Sequence, residues 1–212
     1  MKDHHGGRKK QSFIAEARRA QIIEAAIHTL DEIGYVNASL AQIAKRAGIS
    51  TALISYHFQD KNDLMNHTLA TLIEEETRYV AERLAAAKTP RERLHAYIEA
   101  CLAYQGTHPK RIYALIEIIF HARTPDQVPY YKLEDDDEEP LVSVLKEILI
   151  TGQKAGEFRA FNVPVTAAAL RAAIWEYAAN KTLSEQIDLE TYSAELIQIF
   201  DRVILNPDKA GQ

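Results

Sequence analysis

The sequence predicts an all-α protein, in which an N-terminal three-helix helix-turn-helix unit joins a larger helical body. Three observations carry this. Apolar residues recur at helical spacing through most of the chain, the breaks between them are short and rich in Gly, Pro, Asn and Asp, and no convincing strand or internal repeat appears. Hydrophobic residues make up 47% and charged residues 26% of the 212, enough apolar material for a real core.

Taken in order, residues 1–12 are polar and basic, with Lys2, Arg8, Lys9 and Lys10 around Gly6-Gly7, and read as a flexible basic arm. The composition suits a solubilising tail as well as an arm that reaches phosphates or the minor groove. Ile23, Ala26, Ile27, Leu30 and Ile33 then mark a first helix over 14–33, with Gly34 as its stop. Ser39-Leu40-Ala41-Gln42 fits a capping box at the start of a second, short helix that Gly48 ends. Ser50 or Thr51 caps a third through Phe58. Asp60 is a good N-cap for a fourth, which runs through Leu64, Leu69, Leu72, Ile73 and Val80 towards Ala87.

Pro90 stands at the first turn of the next helix, 91–105, and Pro109 precedes another that reaches about Phe120. Residues 124–140, with three prolines and the acidic run Glu134 to Glu139, read as a loop or frayed helix end. That run lacks the alternating ligands and glycine of a calcium loop. Helices resume over 141–155, 165–181 and 189–205, with a crossing segment at 158–164.

Net charge is −5, which by itself argues against a nucleic-acid partner. Its distribution argues the other way. Residues 1–61 hold nine Lys/Arg and six Asp/Glu, a net of +3, and residues 62–212 hold sixteen and twenty-four, a net of −8. A basic head on an acidic body is expected where one end meets a polyanion. Two short helices joined by a Gly-containing turn match the helix-turn-helix arrangement, whose second helix enters the major groove. On pattern alone, such a hairpin serves packing as readily as DNA.

The stretch Ile22 to Leu64 resembles the DNA-binding domain of the TetR family, the tetracycline-repressor-like bacterial regulators. The matching run is Ser39-Leu40-Ala41-Gln42-Ile43-Ala44-Lys45-Arg46-Ala47-Gly48-Ile49-Ser50, followed by Tyr56-His57-Phe58-Gln59-Asp60-Lys61-Asn62-Asp63-Leu64. The resemblance implies a flexible arm at 1–12, a helix-turn-helix domain at 13–62, a ligand-binding and dimerisation domain at 63–206 and a tail at 207–212. It implies that Ser39 and Lys61 hold phosphates, that Ser50, Thr51, Ala52, Leu53 and Ser55 face base edges, and that Tyr56 and His57 grip the backbone. Phe58 is assigned to the core. One departure stands out: family members often carry Gly-x-Leu-Tyr early in the recognition helix, where this chain has Ala52-Leu53-Ile54-Ser55.

For the body, the resemblance implies a cavity for a small-molecule effector. Its candidate lining is Tyr79, Tyr97, Cys101, Tyr104, Tyr113, Glu117, Phe120, His121 and Trp175, although aromatic residues at helical spacing serve equally as plain core. A homodimer face has support of its own from small residues on one helix and an apolar stripe on the next: Ala168, Ala172, Trp175 and Ala179 with Leu189, Tyr192, Leu196, Ile199, Phe200 and Val203. The alternative is that both stripes pack inside one chain. The expected function is a transcriptional regulator, a repressor that binds a pseudo-palindromic operator in double-stranded DNA as a dimer and lets go when a ligand binds.

Other classes fare poorly. No Gly-rich phosphate loop, nucleophile elbow or metal-ligand set is present, so neither enzyme chemistry nor a cofactor is expected. The single cysteine, Cys101, leaves no intrachain disulfide and no cysteine-based zinc site, and a redox-sensing role is the lesser reading of it. No apolar run approaches a membrane span and the N-terminus lacks a signal peptide's apolar stretch, so the expected location is the cytoplasm. A helical adaptor with no DNA role is the remaining rival.

Overall fold

A computed structural model describes residues 5–132 and 139–206, with side chains from residue 13 onward. The described residues form ten α-helices and one 3-10 turn, Tyr130–Lys132. The expected tail at 207–212, residues 1–4 of the expected arm, and most of the acidic run lie outside the described residues. The helices divide into two compact units, the first from residues up to Ile73 with 110–132, the second from 74–109 with 139–206.

In the first unit, α1 (His5–Asn37) carries a break at Gly34, where φ is 72°. The helix starts at His5, so residues 5–12 are its first turns and not the irregular arm expected. Arg8, Lys9, Lys10 and Gln11 are all good helix formers and extend the periodic segment towards the N-terminus. α1 packs on α2 (Leu40–Ala47), and α2 on α3 (Thr51–His57). Their shared core is Ile22, Ala26, Ile27, Leu30, Ile43, Ile54 and Phe58, closed by Leu64 and Met65 of α4 (Lys61–Leu84). α6 (Pro109–His121) belongs to the same unit. Arg111 pairs with Glu24 of α1 at 3.1 Å, and Tyr130 donates to Asn66.

In the second unit, α5 (Pro90–Thr107) starts with a capping box of Thr89 and Glu92 around Pro90. It packs against α7 (Pro140–Lys154), α8 (Val163–Ala179) and α10 (Leu189–Ile204). Leu94, Ile98 and Leu102 meet Leu145, Ile148, Leu170, Ile174 and Phe200 in one continuous core. At one place this packing leaves no room for a side chain: a Cβ on Gly152 of α7 would lie 2.0 Å from the Phe158 ring. The crossing segment is tied to the end of α10, with Arg159 N–H donating to the Ile204 carbonyl at 2.9 Å. Between α8 and α10 lies a six-residue helix, α9 (Lys181–Gln186), that the periodicity does not reveal, since it buries no residue of its own.

The expected dimer stripe divides. Leu196 and Phe200 are buried in the unit's own core, and Leu189 and Tyr192 pack against it, the Tyr192 hydroxyl donating to the Ala173 carbonyl at 2.7 Å. All four thus take part in packing within the chain, Leu189 and Tyr192 remaining half-buried. Ala168, Ala172, Ala179, Ile199 and Val203 remain exposed, and Trp175 is half-buried.

Candidate nucleic-acid interface

The local chain chemistry sets the two short helices. The Ser39 hydroxyl accepts from Gln42 N–H at 3.3 Å, while the Gln42 carboxamide oxygen accepts from Ser39 N–H at 2.8 Å, so both ends of the capping box are closed. Gly48 ends α2, and the Gln21 side chain of α1 donates to the Ala47 carbonyl at 2.8 Å. Ser50 then caps α3, accepting from Leu53 N–H at 3.2 Å. Beyond α3, the Asp60 carboxylate accepts from Asp63 N–H and the Asp63 carboxylate from Gln59 N–H, both at 2.8 Å.

These caps hold α3 with one side in the core and the other in solvent. Ile54 is fully buried and Phe58 follows it inward. Thr51, Ala52, Ser55 and Tyr56 are exposed, Tyr56 to 80%, while Leu53 and His57 are half-buried. An exposed tyrosine ring backed by a buried isoleucine is the asymmetry that an element entering a groove requires. Ser55 folds back, its hydroxyl donating to the Thr51 carbonyl at 3.3 Å.

The cations around α3 include two that the motif did not bring forward. Arg19 places its guanidinium 4.8 Å from the Phe58 ring centre and 3.0 Å from the His67 imidazole. Burial lowers the His57 pKa, and the positive charges of Arg19 and Arg18 lower it further, which sets all three in one electropositive neighbourhood. The basic excess of residues 1–61 was the available signal, but it did not say which cations stand beside α3.

Lys61 and Glu117 receive roles the sequence did not assign. Lys61 donates to the Tyr35 carbonyl at 2.6 Å and lies 4.2 Å from the Tyr35 ring centre, and burial lowers its pKa. Its ammonium therefore closes the end of α1, in addition to any phosphate it meets. Glu117, expected in a ligand cavity, accepts from Tyr35 N–H at 2.7 Å. Its carboxylate sits against Gly34, where a Cβ would lie 3.0 Å from Oε2 and where the positive φ already strains any residue but glycine. Glu117 thus joins α6 to the break in α1. Tyr113, Phe120 and His121 belong to this first unit and are exposed, with Phe120 beside Tyr131.

The other cavity candidates lie in the second unit. Tyr97 is buried and donates to the Leu141 carbonyl at 3.0 Å. Tyr104 is buried, stacks on His108 with centroids 4.4 Å apart and meets Tyr79 edge-on. Cys101 is buried, and desolvation pushes its thiol up to about 12, which suits packing and not thiolate chemistry. Beside them is a charged cluster absent from the sequence reading: Arg171 is buried and binds Glu139 through Nη2 at 2.7 and 2.8 Å, with buried Glu76 close by. Among the described residues, no group of His, Cys, Asp or Glu is arranged to hold a metal, and no helix is long and apolar enough to cross a membrane.

Together these features define a helix-turn-helix protein with a separate helical unit. Residues 22–68 match the family model described as bacterial regulatory proteins, tetR family. The HTH-type transcriptional regulator BetI of Yersinia pestis is 46% identical over 84 residues, 39% of this chain and 42% of that protein. BetI of Paraburkholderia phytofirmans is 41% identical over 86 residues, 40% of this chain and 44% of its own. The matches thus span under half the length of these curated relatives. A TetR-family regulator from Rhodococcus sp. superposes with a TM-score of 0.73 at 20% identity, over 88% of this chain and 98% of that one. FadR of Bacillus subtilis, solved in complex with stearoyl-CoA, gives 0.69 at 20%, over 85% and 96%. Residues 22–68 thus carry a DNA-binding domain of the tetR-family type, and the described residues share the fold of these solved regulators.

Proposed function

We propose that this protein is a DNA-binding transcriptional repressor that grips a pseudo-palindromic operator as a homodimer in the cytoplasm and releases it when a small molecule binds the second unit. The observation that carries the reading is α3: Thr51, Ala52, Ser55 and Tyr56 stand outward on a helix capped at Ser50 and anchored by Ile54. Thr51 and Ser55 supply hydroxyls for base edges or phosphates, Ala52 and Leu53 offer methyl contacts to thymine, and Tyr56 and His57 reach the backbone. Ser39 and Lys61, at the starts of α2 and α4, approach phosphates with backbone N–H groups beside them.

Two further observations support the dimer and the ligand. Val165, Ile199 and Val203 are large apolar side chains left exposed, and with Ala168, Ala172 and Ala179 they give α8 and α10 a surface suited to a two-fold helix bundle. FadR, a structural neighbour, is described with an acyl-CoA bound. By linkage, a ligand that favours a head spacing unable to meet the operator weakens DNA binding by the factor that DNA weakens the ligand.

A gel shift with genomic fragments, run at low and then raised salt, tests the core of the reading. Retention should fall steeply with salt, and the recovered fragments should share two half-sites about one helical turn apart. No retention at low salt overturns it. Ile199→Asp should turn a dimer into a monomer in sedimentation, and an unchanged dimer overturns the assigned face.

A further inference from the structure

Within the second unit, α4 and the starts of α5 and α7 frame a cleft of about 360 Å³, towards the small end of the range for small-molecule sites. Val80, Leu84, Leu141 and Val144 give it an apolar wall. Two polar residues share the lining, Thr77 and Arg93. Thr77 Oγ1 and Arg93 Nε are both withdrawn from solvent with no hydrogen-bond partner among the described residues. Buried polar atoms are ordinarily satisfied, and the exceptions call for a missing partner. The ion pair of Arg93 is a long one, Nη1 standing 3.8 Å from the exposed Glu147. Leu141, in the first turn of α7, lines the same cleft, and Glu139 makes no side-chain cap on that helix.

We propose that this cleft binds a small amphipathic carboxylate, its hydrocarbon part along the Val80–Val144 wall and its carboxylate on Arg93, with Thr77 as a second donor. The charge on the wall selects the class: one guanidinium and one hydroxyl match a monoanion. The modest volume and apolar lining match a short aliphatic body better than a nucleotide or sugar. The inference rests on the reading of the second unit as the ligand-binding part, and names where and what it binds.

Calorimetric titration of the full chain with decanoate, decanol and decylamine tests this. Decanoate should bind, decanol about tenfold more weakly, and decylamine not measurably. Arg93→Gln should reduce decanoate to the level of decanol, and Val144→Trp, which fills the cleft, should abolish both while leaving the circular dichroism spectrum unchanged. Equal binding of decanoate and decylamine, or full decanoate affinity in Arg93→Gln, overturns the site. A parallel gel shift keeps the two readings apart. Decanoate that binds through Arg93 without releasing DNA upholds the cleft and refutes ligand release through it. Release by other metabolites, with no decanoate binding, refutes the cleft alone.

Discussion

Replacing Glu76 by Gln should remove most of a pH dependence built into the second unit. Glu76 of α4 is 6% exposed. Desolvation raises its pKa from 4.5 to about 7, Arg171 of α8 offsetting part of the rise and Glu139 at the start of α7 adding to it. Cys101 and Tyr97 of α5 complete the surrounding titratable groups, and desolvation raises both of theirs. Between about pH 4.5 and 7 the folded chain holds a proton that the unfolded chain has released. Stability is therefore full below the unfolded value and declines as pH rises through the folded one. The difference between 4.5 and about 7 corresponds to about 3 kcal/mol. Gln matches the protonated carboxyl in shape and cannot ionise. In urea unfolding at fixed protein concentration, the variant's advantage over the parent should be near zero at pH 4.5 and grow to about 3 kcal/mol by pH 8. A difference that stays constant with pH would refute the reasoning.

Further outcomes follow from other contacts. Lys61→Ala should cost about 1 kcal/mol through the lost bond to the Tyr35 carbonyl and weaken operator and random DNA alike; a loss confined to the operator contradicts the phosphate role. Glu117→Ala leaves Tyr35 N–H without its partner and should lower stability by about 1 to 2 kcal/mol, read as a lower urea midpoint at unchanged slope. Gly152→Ala drives a Cβ into the Phe158 ring and should cost about 1 to 3 kcal/mol by thermal melting, and an unchanged melting temperature would contradict that packing.

The helix-turn-helix was legible because its signals are local. Ser39 and Gln42 are three residues apart, as are Asp60 and Asp63, and caps of this kind act through neighbouring backbone whatever the rest of the chain does. The apolar stripe of α10 was equally visible, but periodicity gives a face without its partner. Phe200 and Ile204 turn to the core while Ile199 and Val203, each one position before, face solvent. The long-range pairs were out of reach for the same reason. Nothing in the spacing of Glu117 and Tyr35, 82 residues apart, or of Arg171 and Glu139, 32 apart, announces that they meet. The large side chains expected to line a cavity were visible as residues, yet which of them line empty space depends on how the helices are stacked. Thr77 and Arg93 carry no motif to mark them.

The deep placement of Cys101 makes the molecule convenient to label. Its sulfur is shielded and protonated at working pH, so maleimide reagents would leave it alone. A new thiol introduced at Ala52, on the open side of α3, would then take a fluorophore at one known point and report whether a duplex meets that face.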